Sequence, residues 1–196
     1  MEMKGALSPL EWQILTMSRS RMVGELTLAS FGFLQSGSGS YGTAYVREDT
    51  CVKVSGSDGA RDGWADYAEW IFRTGRTLAC ADHFPKIVSF HRVRDFAFAE
   101  MEKLHSNYYS DAYNLHGPMA LYFTRGLFGR EADYTPEELP QTLRDALDAI
   151  REAAPHHSTV PDTVRAYGYD LHEGNWMIRA GDIPVITDPV SGLYNV

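Results

Sequence analysis

The stretch from Tyr169 to Asp188, Y-D-L-H-E-G-N-W-M-I-R-A-G-D-I-P-V-I-T-D, constrains this chain more than any other. Asp170 is followed by Asn175, then by an apolar run at 176–178, a polar turn at 179–182 and a second apolar run at 184–186 that leads to Asp188. This alternation reads as loop, strand, tight turn and strand, with Asp188 just past the second strand. A hairpin of that form draws Asp170, Asn175 and Asp188 toward one another. Three oxygen-bearing side chains, two of them carboxylates, suit a hard divalent cation such as magnesium. An ordinary surface hairpin with acidic ends gives the same pattern, so the rest of the chain has to discriminate.

Composition narrows the choice. At 196 residues the chain fits one domain or two small lobes sharing a cleft, and an apolar content of 44% is enough for a core. Its net charge of −8 and lack of a long basic run argue against nucleic acid as the main partner, because phosphate-backbone binding needs clustered Lys and Arg. A small polyanion such as ATP stays possible, since metal and backbone amides meet its charge locally. Cys51 and Cys80 lie in no Cys/His cluster, which speaks against zinc and for a reducing cytoplasm. No apolar run approaches membrane-spanning length and no signal-peptide core opens the chain.

In the N-terminal half, Ser8-Pro9-Leu10-Glu11 forms a capping box with proline at the first helical position. A helix is predicted to about Ser18, with Leu10, Ile14, Leu15 and Met17 docked on the elements after it. Residues 26–34 read as a strand, apolar on both faces. Next comes G-x-G-x-x-G at Gly37, Gly39 and Gly42, with Ser38, Ser40 and Tyr41 between them. Glycines let backbone approach a phosphate closely. Residues 43–46 after Gly42 read as strand rather than helix, which excludes the dinucleotide-binding arrangement. A flexible Gly/Ser linker is the plain alternative.

The run 51–54 is a short strand carrying Lys53, with Cys51 on the same face. Residues 58–73 read as a helix with Trp64, Tyr67, Ala68, Ile71 and Phe72 along one stripe. Glu69, or failing that Asp66, is expected to pair with Lys53. Strands at 87–92 and 96–102 come next, turning at 93–95, and the connector holds Met101, Glu102 and Leu104.

The C-terminal half reads as helical at 109–128, interrupted at Gly117-Pro118. A second helix is predicted from the cap Thr135 to about Ala153, cut or kinked at Pro140, and a short one at 160–166. His156-His157 reads as a solvated turn, because adjacent side chains point apart and no third ligand flanks them.

Each motif is weak alone, but their order is informative: glycine loop, strand lysine, helical acid, five strands, helices, Asp-x-x-x-x-Asn, Asp. That order resembles the protein-kinase-like superfamily over nearly the whole chain, and Asp170-Leu171-His172-Glu173-Gly174-Asn175 looks like the loop shared with aminoglycoside and choline phosphotransferases. Residues 170–191, especially Gly181 to Ser191, resemble the early serine/threonine protein kinases of short-tailed coliphages (autographiviruses), and Thr43-Ala44-Tyr45 is similar too. The resemblance implies an α+β, compact two-lobed kinase-like fold. Its N-lobe, residues 1–103, would hold a five-stranded antiparallel sheet plus a helix; its minimal, mainly helical C-lobe would span 104–196. It also implies Mg-ATP bound in the cleft between the lobes. Residues Gly37 to Gly42 and Lys53 would lie on the phosphates and Cys51, Met101, Glu102 and Leu104 around the base. Asn175 and Asp188 would hold magnesium, with Asp170 as catalytic base and Glu69 positioning Lys53.

The implied partners are host transcription, translation, RNA-processing or defence proteins in the bacterial cytoplasm. Gly168-Tyr169 stands where protein kinases carry His-Arg, Pro189-Val190 replaces Phe-Gly after Asp188, and Val196 comes soon after. Constitutive activity without a phosphorylated activation segment is therefore expected, and the host-shutoff segment that succeeds the kinase region in that family is not expected here. Two other readings remain: a small-molecule phosphotransferase, and a non-catalytic protein that blocks a host factor through its acidic surface.

Overall fold

Strands with β-branched and aromatic residues at alternate positions pair into one antiparallel sheet. The computed structural model describes residues 6–39, 42–56, 63–93, 96–107, 118–119, 139–153, 167–169 and 173–193. The sheet contains β1 (Leu34–Ser38), β2 (Gly42–Arg47), β3 (Thr50–Ser55), β4 (Ile87–Val93) and β5 (Phe96–Glu102), in the order β1-β2-β3-β5-β4. Helices α1 (Pro9–Thr16) and α2 (Arg21–Ser30) precede it, and α3 (Gly63–Arg73) lies between β3 and β4 in the chain. With α4 (Gln141–Ala153) there are four α-helices among the described residues, so the chain is α+β. It divides into two compact units, Met1–Arg73 with Lys86–Lys103, and Thr74–Pro85 with Leu104–Val196. No helix among the described residues is long and apolar enough to cross a membrane.

In the first unit, strand alternation separates two faces. Tyr45 pairs with Val52 and Thr43 with Val54, while Lys53 pairs with Ala99 and Cys51 with Met101. Tyr45, Val52, Val54, Phe96 and Phe98 point to one side, where Leu7, Leu15, Leu28 and Phe33 join them in a single buried cluster. Helices α1 and α2 cover this side. On the Lys53 side α3 lies against β4 and β5, with Phe72 at 6.4 Å from Phe90.

The capping box forms as expected: the Glu11 amide donates to Ser8 Oγ at 3.2 Å and the Ser8 amide donates to Glu11 Oε2 at 2.8 Å. Two other expectations are corrected. Residues 26–34 are not a strand, because α2 runs through Ser30 and β1 begins only at Leu34. Ser20 caps the Val23 amide at 3.3 Å, Arg21 pairs with Glu25 one turn on at 2.8 Å, and Gly24 and Leu28 recur at helical spacing toward the core. Gly32, at φ 82, then reverses the chain into β1. Second, of the α1 residues expected to dock, only Leu15 is buried; Leu10, Ile14 and Met17 are exposed. The inward side of α1 is occupied instead by Leu15, Trp12 and Glu11.

Polar contacts hold the helix pair in this orientation. Arg47, on β2, donates to Glu11 Oε1 at 2.9 Å, to the Phe31 carbonyl at 2.6 Å and to the Ala6 carbonyl. Its guanidinium also lies 4.4 Å from the Phe33 ring centroid. Arg21 donates to Thr43 Oγ1 at 2.8 Å and to the Gly56 carbonyl at 3.0 Å. Buried Glu100 accepts the Leu7 amide at 2.9 Å.

In the second unit, α4 opens directly after Pro140, whose carbonyl accepts the Leu143 and Arg144 amides at 3.0 and 3.1 Å. The proline therefore starts the helix rather than kinking it, because a first-turn residue needs no N–H partner. The α4 side chains of Leu143, Ala146, Leu147 and Ile150 are buried. The cap at Thr135 and the helices predicted at 109–128 and 160–166 lie outside the described residues, apart from helical 118–119. So does the start of the helix predicted at 58–73, which is seen from Gly63.

These contacts make two predictions about stability. Alanine at Gly24 would gain about 1 kcal/mol of helix propensity, but its Cβ would fall 2.5 Å from Phe98 Cζ. Phe98 is fully buried, edge-on to Phe96 at 5.5 Å, and cannot retreat. Overpacking of about 1–3 kcal/mol should win, so Gly24→Ala lowers the urea midpoint and Phe98→Leu in the same background recovers part of it. The second concerns pH. Hydrogen bonding from Arg47, then from the Ser8 amide, holds the Glu11 carboxyl at about 2 against an ordinary 4.5. A depressed folded value means the stabilisation is complete above 4.5 and is lost as pH falls toward 2. The gap in unfolding free energy between the wild type and Glu11→Gln should be flat above pH 4.5 and close below it.

Candidate functional site

The predicted hairpin forms. Strands β7 (Trp176–Arg179) and β8 (Ile183–Ile186) pair antiparallel, with Trp176 opposite Ile186 and Arg179 opposite Ile183. The turn between them places Gly181 at φ 86 and Asp182 at φ 57, which glycine and aspartate tolerate better than most residues. At the open end the Asn175 carbonyl accepts two amides, from Thr187 at 2.9 Å and Asp188 at 3.1 Å. Asn175 and Asp188 are thereby fixed side by side. Strand β6 (Tyr167–Tyr169) pairs with β9 (Val190–Leu193), setting Tyr169 opposite Val190. Asp170 lies outside the described residues, as do Ser40 and Tyr41.

Besides Arg179, the hairpin is held from several sides by residues outside the predicted motifs. His105 and Ile178 exchange both backbone hydrogen bonds at 2.9 Å, adding a third, one-residue strand beside β7. Asn107 Nδ2 donates to the Trp176 carbonyl at 3.2 Å. Arg179 donates to the Phe84 carbonyl at 2.8 Å and to the Asp82 carbonyl. Its 3.7 Å pairing with the Asp82 carboxylate adds little, because Asp82 is exposed. Buried His83 lies between β8 and α4: Nδ1 is 2.8 Å from the Pro184 carbonyl and Nε2 is 3.0 Å from Thr142 Oγ1. A carbonyl only accepts, so Nδ1 carries the proton; in the neutral ring Nε2 accepts the Thr142 hydroxyl. Residues 81–84 thus clamp the strands whose open end carries Asn175 and Asp188. None of these residues stands out along the sequence, because each acts on backbone groups remote in the chain.

The Asn175 amide oxygen and the Asp188 carboxylate are hard donors of the type magnesium takes, and with so few protein ligands magnesium retains several waters. Among the described residues no group of three or more His, Cys, Asp and Glu is arranged to hold a metal.

In the first unit, Lys53 is at the middle of β3 with Cys51 on the same face, as alternation predicts. Gly42 opens β2, and a Cβ there would meet Lys53 Cε at 3.1 Å and the Val54 carbonyl at 3.2 Å, a tight fit that would require the lysine stem to shift. At Gly37 and Gly39 an added Cβ would meet nothing within 4 Å. Ser38 ends β1, and the Gly39 amide donates to the Gly42 carbonyl at 2.8 Å, closing the loop. Burial pushes the Cys51 thiol up to about 11, so at neutral pH it is a packing group and not a nucleophile. Met101 is buried opposite Cys51. Glu102 accepts the Lys86 amide at 2.9 Å, and in the second unit Leu104 is buried.

Glu69 and Asp66, the acids expected to pair with Lys53, both engage arginines. The Lys53 ammonium lies 4.4 Å from the Trp64 ring centroid. Glu69 pairs with Arg73 at 2.6 Å and with Arg92 at 3.3 Å, and Asp66 pairs with Arg92 at 2.5 Å. Arg92, on β4, faces both carboxylates one turn apart on α3, and its Nη2 reaches both. No protein-family model matches this chain, and no curated protein matches it either.

The clamp makes a prediction about order at the open end. Arg179→Met removes the donors to the Asp82 and Phe84 carbonyls while keeping an apolar stem. Amide exchange at Thr187 and Asp188 should accelerate by about tenfold or more, while exchange in β3 and β5 stays unchanged. Uniform acceleration in both units would instead mean that Arg179 supports global stability alone.

Proposed function

We propose that this chain is an ATP-dependent protein kinase of the phage type, transferring the γ-phosphoryl group to serine or threonine of host proteins in the bacterial cytoplasm. One observation carries the reading: the Asn175 carbonyl binds the amides of Thr187 and Asp188, so an amide and a carboxylate stand together at the end of a hairpin. Protein kinases hold their metal ions with an asparagine and an aspartate. Support comes from the order of elements in the first unit: a glycine loop joins β1 to β2, a lysine sits on β3, and a helix with acids comes next. In a two-lobed kinase-like fold these would form the nucleotide-binding lobe.

In this reading the loop from Gly37 to Gly42 covers the phosphates, where open space beside Gly37 and Gly39 leaves its backbone accessible. Lys53 neutralises phosphate oxygens, and its ammonium leaves the Trp64 face to do so. Met101, Glu102 and Leu104 border the base. Magnesium, when bound, draws charge off the β- and γ-phosphoryl oxygens. Asp170 orients the substrate hydroxyl and takes its proton as the hydroxyl oxygen bonds to the γ-phosphorus and the bond to the ADP oxygen breaks. Glu69 serves Lys53 only after leaving Arg73 and Arg92.

The D-L-H-E-G-N loop favours a second reading, phosphorylation of a small molecule of aminoglycoside or choline type. One experiment separates the two. The chain is incubated with γ-labelled Mg-ATP and either bacterial lysate or a panel of amino-sugars and amino-alcohols. Label in protein serine or threonine supports the kinase; label only in small molecules supports the second reading. Asp188→Ala, Asn175→Ala and Lys53→Met should each reduce transfer by roughly a hundredfold or more, the loss typical of removing one charge-stabilising group. If a well-folded Asp188→Ala variant keeps both its Mg-ATP affinity and its effect on the host, the chain works as a non-catalytic binder.

A further inference from the structure

The large hydrophobic side chains exposed among the described residues are Leu10, Ile14, Met17, Met22, Val23, Leu26 and Leu34, at 43–72% exposure. All lie within residues 10–34, on α1, α2 and β1, which are consecutive elements packed on one another. On α1 the outward positions are Leu10, Gln13, Ile14 and Met17; on α2 they are Met22, Val23, Leu26 and Ala29. None of the eight carries a charge. The charged residues of α2, Arg21 and Glu25, are half-buried against the sheet side. This inverts the usual helix pattern, in which the apolar stripe faces the core. The orientation is fixed: Arg47 and Arg21 tie the pair to the sheet, and Gly24 is seated on Phe98. The helices cannot roll to bury their outer faces without breaking those contacts.

We infer that this face binds a second copy of the same chain, the α1–α2 pair of one protomer packing on that of its partner. Three observations favour a copy over other occupants. The eight outward helix positions carry no charge while the chain carries −8; exposed Arg19, in the turn between the helices, is a single basic group, too few to draw a nucleic acid or an anionic lipid surface. A two-fold contact brings each patch against itself, and a patch without charged residues meets no like charge on an otherwise acidic molecule. The area also suffices. At roughly 60–80 Å² of exposed apolar surface apiece, the seven side chains give on the order of 1,000 Å² for a symmetric pair, the size at which a specific interface becomes stable. Ridges of Leu, Ile, Met and Val on two helices suit packing against an identical pair, with the adaptable methionines at the turn between α1 and α2 filling gaps.

The test is sedimentation equilibrium of the full chain over a concentration series, alongside Leu10→Glu and Leu26→Glu, with thermal unfolding of each variant. Both leucines are 65% exposed in the single chain, so neither change disturbs its fold. The expected result is a wild-type species of twice the monomer mass, a dissociation constant raised at least about tenfold in each variant, and monomer circular dichroism unchanged. The proposal is overturned by a wild type that stays monomeric up to about 100 μM, by variants that dimerise as tightly as the wild type, or by wild-type monomers that float with neutral or anionic vesicles. It is overturned as well if Leu26→Glu lowers the thermal midpoint of a strictly monomeric wild type, which would mean that the chain covers this face itself.

Discussion

The pairing of β3 between β2 and β5 governs the first unit. Because side chains alternate along a strand, the register that sets Val52 opposite Tyr45 and Lys53 opposite Ala99 assigns every residue of β3 to a side. A slip of one residue would put Lys53 into the cluster of Phe96, Phe98, Leu15 and Leu28, and Val52 and Val54 against α3. An unpaired ammonium in an apolar core costs several kcal/mol, far more than any gain from the exchanged valines, so the alternatives are strongly disfavoured. The same parity puts Cys51, Lys53 and Gly42 on one side. The chemistry-bearing surface of this unit therefore derives from the core on its other face.

The second unit solves a different problem. A two-stranded ribbon is marginal by itself in water. Here β7–β8 gains a bridge from His105, side-chain bonds from Asn107 and Arg179, and the His83 contact to Pro184. All of these join the ribbon through backbone groups, its own or those of residues 82–84. At its open end the backbones of Asn175 and Asp188 are joined through the Asn175 carbonyl. Precise placement of donors matters for metal and phosphate chemistry, where displacement of a group by about 1 Å can reduce rates by a hundredfold. The proposed reading asks for that placement at Asn175 and Asp188.

Much of this was legible in the sequence because the relevant physics is local. The capping box at Ser8, the ribbon from Trp176 to Ile186 and the turn at Gly181-Asp182 depend on spacing, turn chemistry and short-range hydrogen bonds. Strand β5 was bounded by its own composition. The errors came where local patterns were ambiguous. Residues 26–34 carry apolar groups compatible with either period, and the deciding features are Ser20 as cap, the Arg21–Glu25 pair and the seat of Gly24 on Phe98, which is far away in sequence. The outward face of α1 was misjudged for a related reason. Amphipathicity identifies an apolar stripe but not what covers it, and Arg47 draws the Glu11 side inward. The partner of Glu69 was likewise undecidable from spacing on α3, because Arg92 arrives from β4 to take both acids.

For ATP as the proposed ligand, net acidity is a conflict only until range is considered. Charges beyond a Debye length of about 8 Å are largely screened at physiological ionic strength, so the net −8 slows encounter with a polyanion but does not set its affinity once bound. In the proposed reading, affinity would depend on local groups, in the first unit the backbone amides of the glycine loop and the Lys53 ammonium. The Lys53 ammonium stands 4.4 Å from the Trp64 ring centroid, and a cation–π contact is worth about 1 kcal/mol, less than a charge-assisted bond to a phosphate. An ion pair with Glu69 would be harder to form here, since that carboxylate must first leave two arginines, Arg73 and Arg92. In the proposed reading, the exchange of partners on α3 is therefore the barrier to pairing Lys53 with Glu69.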